Sequence, residues 1–117
     1  MTLQECYAQL NGSYETALSR LMNDRLVDKF IRKFPADTTM QQLRDAVAQT
    51  DRQLAFRAAH TLKGVAANLS FTELQNAASN LTEQLRSLDQ DPDMSLFETV
   101  EAAYNKTMTA LNTYIAE

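Results

Sequence analysis

One histidine, one cysteine, two glycines and two prolines are all that 117 residues contain of these types. Each shortage closes off a chemistry. Glycines at positions 12 and 64 alone cannot build the glycine-rich phosphate cradle of an ATP or dinucleotide site. A single His60 and a single Cys6 cannot supply the nitrogen and sulfur ligands of a zinc site, and there is no Glu-x-x-His pair of the kind found in di-iron bundles, so no metal site is expected. Cys6 has no internal disulfide partner. A formal charge of −4 lacks the positive field that nucleic acid or anionic lipid requires. No run of about 18 apolar residues exists to cross a membrane, and the start, Met1-Thr2-Leu3-Gln4-Glu5-Cys6, does not read as a secretory signal. A reducing, cytoplasmic setting is the expectation. So few glycines and prolines also argue for long helices and few turns.

What is present is ordinary for a globular protein: 44% hydrophobic and 22% charged residues, in a length that suits one domain spanning 1–117. The apolar positions recur at helical spacing throughout, and no alternating stretch suggests a strand. Residues 3–10 read as a short helix ended by Asn11-Gly12. Ser13 caps a second segment that runs to Phe34, with a break near Asn23-Asp24, and Pro35 stops it. Thr38 or Thr39 caps a helix with Met40, Leu43, Ala46 and Val47 inward, and Asp51 begins the next. Ser70-Phe71-Thr72-Glu73 has the form of a capping box, followed by a stripe of Leu74, Ala77 or Ala78, Leu81, Leu85 and Leu88. Asp91 and Pro92 open the last helix, with Phe97, Val100, Tyr104, Met108, Leu111 and Ile115 inward. The expected fold is all-α: an antiparallel four-helix bundle with one or two short additional helices at its N-terminal side.

His60 stands out within this pattern. In the helix from Asp51 to Leu69, the apolar positions Leu54, Ala58, Leu62, Val65 and Leu69 fall in a stripe roughly 80° wide, and His60 lies about 160° from its centre. The imidazole therefore faces away from the core, among Gln53, Phe56, Arg57, Lys63, Gly64 and Ala67. Lys63, three positions on, shares this face. Gly64 is costly in a helix by about 1 kcal/mol against alanine, and it leaves the space beside the ring free. An imidazole is a good nucleophile near neutral pH, its ordinary pKa being about 6.5. Phosphoryl transfer to it needs positioning and charge more than covalent machinery.

The run Ala59-His60-Thr61-Leu62-Lys63-Gly64, followed by Ala66-Ala67-Asn68-Leu69, resembles the signature of histidine-containing phosphotransfer (HPt) domains, and the likeness extends over about residues 26–86. The resemblance implies a four-helix bundle in a two-component phosphorelay. His60 would be the phosphoacceptor, Lys63 a contact to the phosphoryl group, and Gly64 the point of access. Its partners would be response-regulator receiver domains, with a hybrid sensor kinase as a further candidate. Magnesium would belong to the receiver, and the bundle itself would need no cofactor. A monomer is expected. Two positions depart from the family pattern. Ser70 stands where a glycine is usual, and Thr82 stands where the family often has a glutamine that steadies the ring, so Thr82 is only a candidate for that support.

Around the histidine, Gln53, Phe56, Arg57, Ala67, Asn68 and Phe71 are the candidates for receiver docking. The competing reading for the two phenylalanines is cover by the N-terminal helix through Leu3 and Tyr7, which is favoured in part for Phe56. Two other functions compete with the relay. One is a bundle that binds a receiver-like partner through the His60 face without being phosphorylated. The other is a hydrolase using His60 as base, which would require a carboxylate within hydrogen-bond reach of the ring.

Overall fold

A computed structural model describes residues 1–117. Seven α-helices follow one another with no strand: α1 (Leu3–Gln9), α2 (Tyr14–Leu21), α3 (Asp24–Lys33), α4 (Thr39–Ala48), α5 (Arg52–Leu69), α6 (Thr72–Leu85) and α7 (Met94–Ala116), with a 3-10 turn at Phe34–Ala36 between α3 and α4. Helices α4 to α7 run up and down as the expected bundle, each packed on the next, and α1 lies against α7. Side chains draw α4 to α7: Arg44 pairs with Glu101 at 2.7 Å, and its guanidinium covers the Tyr104 ring at 5.3 Å.

The N-terminal cover is three short helices rather than one or two. Ser13 accepts a hydrogen bond from the Thr16 amide and starts α2. The segment breaks where the sequence pattern placed the break. Met22 takes a positive φ of 85°, and Asn23 accepts from the Leu26 amide at 3.0 Å to start α3. Two neighbouring residues that satisfy helix ends locally are enough to divide a continuous apolar pattern.

The turns are where composition misleads. Neither glycine has a positive φ, yet Asn11, Met22, Thr50, Ser70 and Leu88 all do. Scarcity of glycine therefore did not mean scarcity of turns; non-glycine residues close the helices in the left-handed region, at roughly 1–2 kcal/mol each. Two expected caps shift, those of α6 and α7. Ser70 does not cap α6: it ends α5 with φ 58°, and its hydroxyl is buried without a partner. Phe71 occupies the cap position of α6 with no side-chain cap. Thr38 occupies the N-cap of α4 as expected but makes no side-chain cap bond; Asp37 supplies one instead, accepting from the Thr39 amide at 2.8 Å. Asp93, not Asp91, caps α7 by accepting from Ser95 and Leu96. Gln84 holds the preceding turn by bonding the Asp91 carbonyl and the Asp93 amide, so α7 starts two residues later than the Asp-Pro signal suggested.

The α5–α6 turn is locked from the N-terminal side. The Tyr7 hydroxyl donates to the Leu69 carbonyl at 2.7 Å, and the Ser13 amide donates to the Ser70 carbonyl at 3.0 Å. Gly12 permits this approach, since a Cβ there would stand 2.6 Å from the Ser70 carbonyl oxygen. Phe71 inserts below the turn, edge-on to Phe34 at 5.2 Å and tilted against Tyr7 at 5.8 Å. Cys6 is fully buried against α7, its thiol 3.8 Å from the Ala110 carbonyl oxygen, and burial raises its thiol pKa to about 11.

Three outcomes follow. Cys6 should resist a water-soluble thiol reagent in the native protein and react only as the chain unfolds, which rate measurements across a denaturant series will show. Ser70→Gly should raise stability by about 1 kcal/mol in urea denaturation, by relieving the left-handed backbone and removing an unpaired buried hydroxyl. Gly12→Ala should lower it by about 2 kcal/mol or more, because the clash is with backbone.

Candidate functional site

Helix α5 begins at Asp51, which accepts from the Leu54 amide at 3.1 Å, and carries the histidine on its outer side. Its buried face is Ala55, Ala58, Ala59, Leu62, Ala66 and Leu69. Leu54 instead remains 45% exposed, and Val65 is half-buried. The inward centre is thus turned by about 50° from the stripe drawn through the largest apolar residues. Alanines at the contact let neighbouring helices approach closely, and α6, the helix packed against α5, buries Ala78, Leu81 and Thr82. After this rotation His60 still points about 150° from the buried centre, and it is exposed. Lys63 and Phe56 move to the flank beside α6 and are half-buried.

Neither His60 nor Lys63 enters any ion pair or side-chain hydrogen bond, so the ring nitrogens and the ammonium are free. The imidazole lies 6.1 Å from the Phe56 ring, tilted by 33°. A Cβ built on Gly64 meets nothing within 4 Å. This glycine therefore does not serve close helix packing within the bundle, and the notch it leaves opens to solvent beside His60.

The candidate residues separate into three groups. Gln53 and Arg57 are exposed, and Phe56 and Ala67 half-buried, around the histidine. Asn68 is exposed but lies about 80° further round the helix, where it lines a groove with Phe30, Lys33, Phe34, Asp37 and Val65. Phe71 and Thr82 are not presented on the outer face. Phe71 is fully buried and packed among Phe34 and Tyr7, because the residue that starts α6 directly after the turn points into the core. Cover by Tyr7 is the correct reading of that ring. Thr82 is also fully buried, and its hydroxyl donates to the Ala78 carbonyl one turn back at 2.7 Å; that bond takes its one proton and turns it from the imidazole.

Two residues beside the ring were missed from the sequence. Arg86 holds its guanidinium 5.7 Å over the Phe56 ring and pairs with Glu83 at 2.8 Å. Phe56 is thus covered in part, as anticipated, but by Arg86 rather than by Leu3 or Tyr7. Glu83 has its carboxyl pulled below the usual carboxylate range, first by the hydrogen bonds from Arg86 and further by the charges of Lys63 and His60. The signal was available: α5 and α6 are antiparallel about the turn, and Phe56 and Arg86 are equidistant from Phe71 in the chain. The same reflection sets His60 level with Thr82 and Glu83, and Lys63 level with Ser79. Glu83 makes no hydrogen bond to the ring, its oxygens being engaged by Arg86. The carboxylate–imidazole pair that a hydrolase base would need is therefore missing.

The Hpt domain family matches this chain over residues 25–114. The chain belongs to that family. Hpt domains act in histidine phosphotransfer within two-component phosphorelays, do not use ATP as kinases do, and interact with receiver domains. No curated protein and no solved structure matches the chain significantly. In this Hpt domain no helix is long and apolar enough to cross a membrane, and no cluster of three or more His, Cys, Asp or Glu side chains is placed to hold a metal ion.

Because the space at Gly64 is open, Gly64→Ala should fold normally and gain up to about 1 kcal/mol of stability from helix propensity. Urea denaturation read by circular dichroism checks this; a loss of stability would mean that the glycine serves the bundle itself.

Proposed function

We propose that His60 is the phosphoacceptor of this Hpt domain, taking a phosphoryl group from a receiver aspartate and passing it to a second receiver. The observation that carries the reading is an exposed imidazole with no internal hydrogen bond or ion pair, standing beside Lys63 and a notch at Gly64 in which nothing lies within 4 Å of an added Cβ. A ring nitrogen, Nε2, attacks the phosphorus of the aspartyl phosphate. The N–P bond forms as the P–O bond to the aspartate breaks, and that electron pair returns to the carboxylate. Onward transfer runs the same steps in reverse on another receiver. Nothing internal must be broken to free the nucleophile, so what the bundle supplies is placement and charge. Lys63 is placed to meet phosphoryl oxygens, and the magnesium that receiver chemistry uses stays with the receiver.

The docking surface in this reading is Gln53, Phe56, Arg57 and Ala67 around the histidine, with Arg86 added from α6. Asn68 would touch only a partner broad enough to reach the α3 side. Phe71 is excluded by burial. The reading does not include a direct support for the ring from Thr82.

That missing support favours the second reading enough to keep it: the same face binding a receiver-like partner without phosphate. One experiment separates the two. Receiver domains charged with a small phosphodonor should give the wild-type chain an acid-labile label, and His60→Gln should abolish it while the circular dichroism spectrum stays unchanged. Receivers that bind wild type and His60→Ala equally, with no phosphohistidine in either, would replace the relay by the binding module.

A further inference from the structure

The α6 side of the imidazole carries a charge pair with no structural duty in the core. Glu83 accepts two hydrogen bonds from Arg86, Nε to Oε2 at 3.0 Å and Nη2 to Oε1 at 2.8 Å. The side chains of the pair are 56% and 55% exposed respectively. Exposed pairs of this kind are weak and exchange readily, so this one can open without cost to the fold. The guanidinium rests 5.7 Å over Phe56, and the Phe56 ring is 6.1 Å from the imidazole. The antiparallel register sets Glu83 level with His60, one helical turn from Arg86. A negative charge and a positive charge are therefore held together on the α6 side of the helix face that carries His60.

We infer that Glu83 tunes how tightly His60 holds its phosphoryl group, by pairing with Arg86 while the ring is free and yielding Arg86 to the phosphoryl oxygens once the ring is charged. This rests on His60 being the phosphoacceptor. A phosphoryl group carries nearly two negative charges and attracts a guanidinium more strongly than a single carboxylate does. Arg86 then joins Lys63 at the phosphoryl oxygens, while the carboxylate that it leaves behind repels them. The two effects oppose each other, and the balance keeps phosphohistidine stable enough to form and unstable enough to discharge. Glu83 and Arg86 are in this sense positioning and tuning residues; the nucleophile remains His60.

Phosphoramidate labels accessible imidazoles directly and needs no receiver, so it isolates this effect. After labelling, the half-life of the N–P bond at neutral pH is followed by phosphorus NMR in wild type, Glu83→Gln, Arg86→Gln and the double variant. Glu83→Gln should lengthen the half-life about five-fold and Arg86→Gln should shorten it about five-fold, from the Coulomb effect of one charge at several ångströms, with the double variant between them. A purely structural ion pair gives changes of the same sign in both single variants, because each breaks the same bond; that result, or four equal half-lives, overturns the inference. Absence of any label on wild-type His60 overturns the phosphoacceptor reading and this inference with it. Normal labelling with equal half-lives overturns the tuning role alone.

Discussion

The close packing of α5 on α6 is the constraint on which the rest of this molecule depends. Small side chains dominate it: Ala55, Ala59 and Ala66 are buried on α5 and Ala78 on α6. Small side chains bring the backbones together and fix the rotation of each helix about its axis more tightly than a layer of leucines would. That rotation places His60 outside, Lys63 on the flank, and Glu83 and Arg86 opposite. A different rotation would leave the same sequence motif intact and its geometry lost.

The ends of this helix pair are held as firmly as its middle. Tyr7 and Ser13 both hydrogen-bond carbonyls at the α5–α6 turn, and Phe71 fills the space beneath it. The three N-terminal helices thus clamp the turn from which the α5–α6 register is counted. This accounts for a left-handed Ser70 with an unpaired buried hydroxyl: the backbone amides and carbonyls around it are satisfied, and their sum outweighs one hydroxyl.

Chemically the bundle is spare. It belongs to a family that moves phosphoryl groups without an ATP site, and the outer face of α5 holds one imidazole, one ammonium and one gap. In the proposed relay, everything else that phosphoryl transfer requires, including charge neutralisation by a metal, would fall to the partner. An exposed imidazole with no internal partner suits the proposed division, because each internal hydrogen bond would have to be broken before transfer. In the reading proposed above, the α6 pair joins Lys63 in adjusting the energy of the charged state.

Helical periodicity alone determined the all-α class, the helix order, the break at Asn23 and the outward face of His60, since these follow from the 3.6-residue period and from short-range capping chemistry. The run around His60 and Lys63 was equally legible, being local to two turns of one helix. The depth of burial of individual residues was decided only in three dimensions. Apolar bulk drew attention to Leu54 and Val65, whereas alanine, small and weakly hydrophobic, sits at the contact because fit between two surfaces selects it. Phe71 and Thr82 were drawn inward by their places on α6, and Glu83 and Arg86 met the histidine only through antiparallel pairing. A sequence states the period of each helix; which way that helix turns, and which distant side chain it then faces, is settled by the surfaces it packs against.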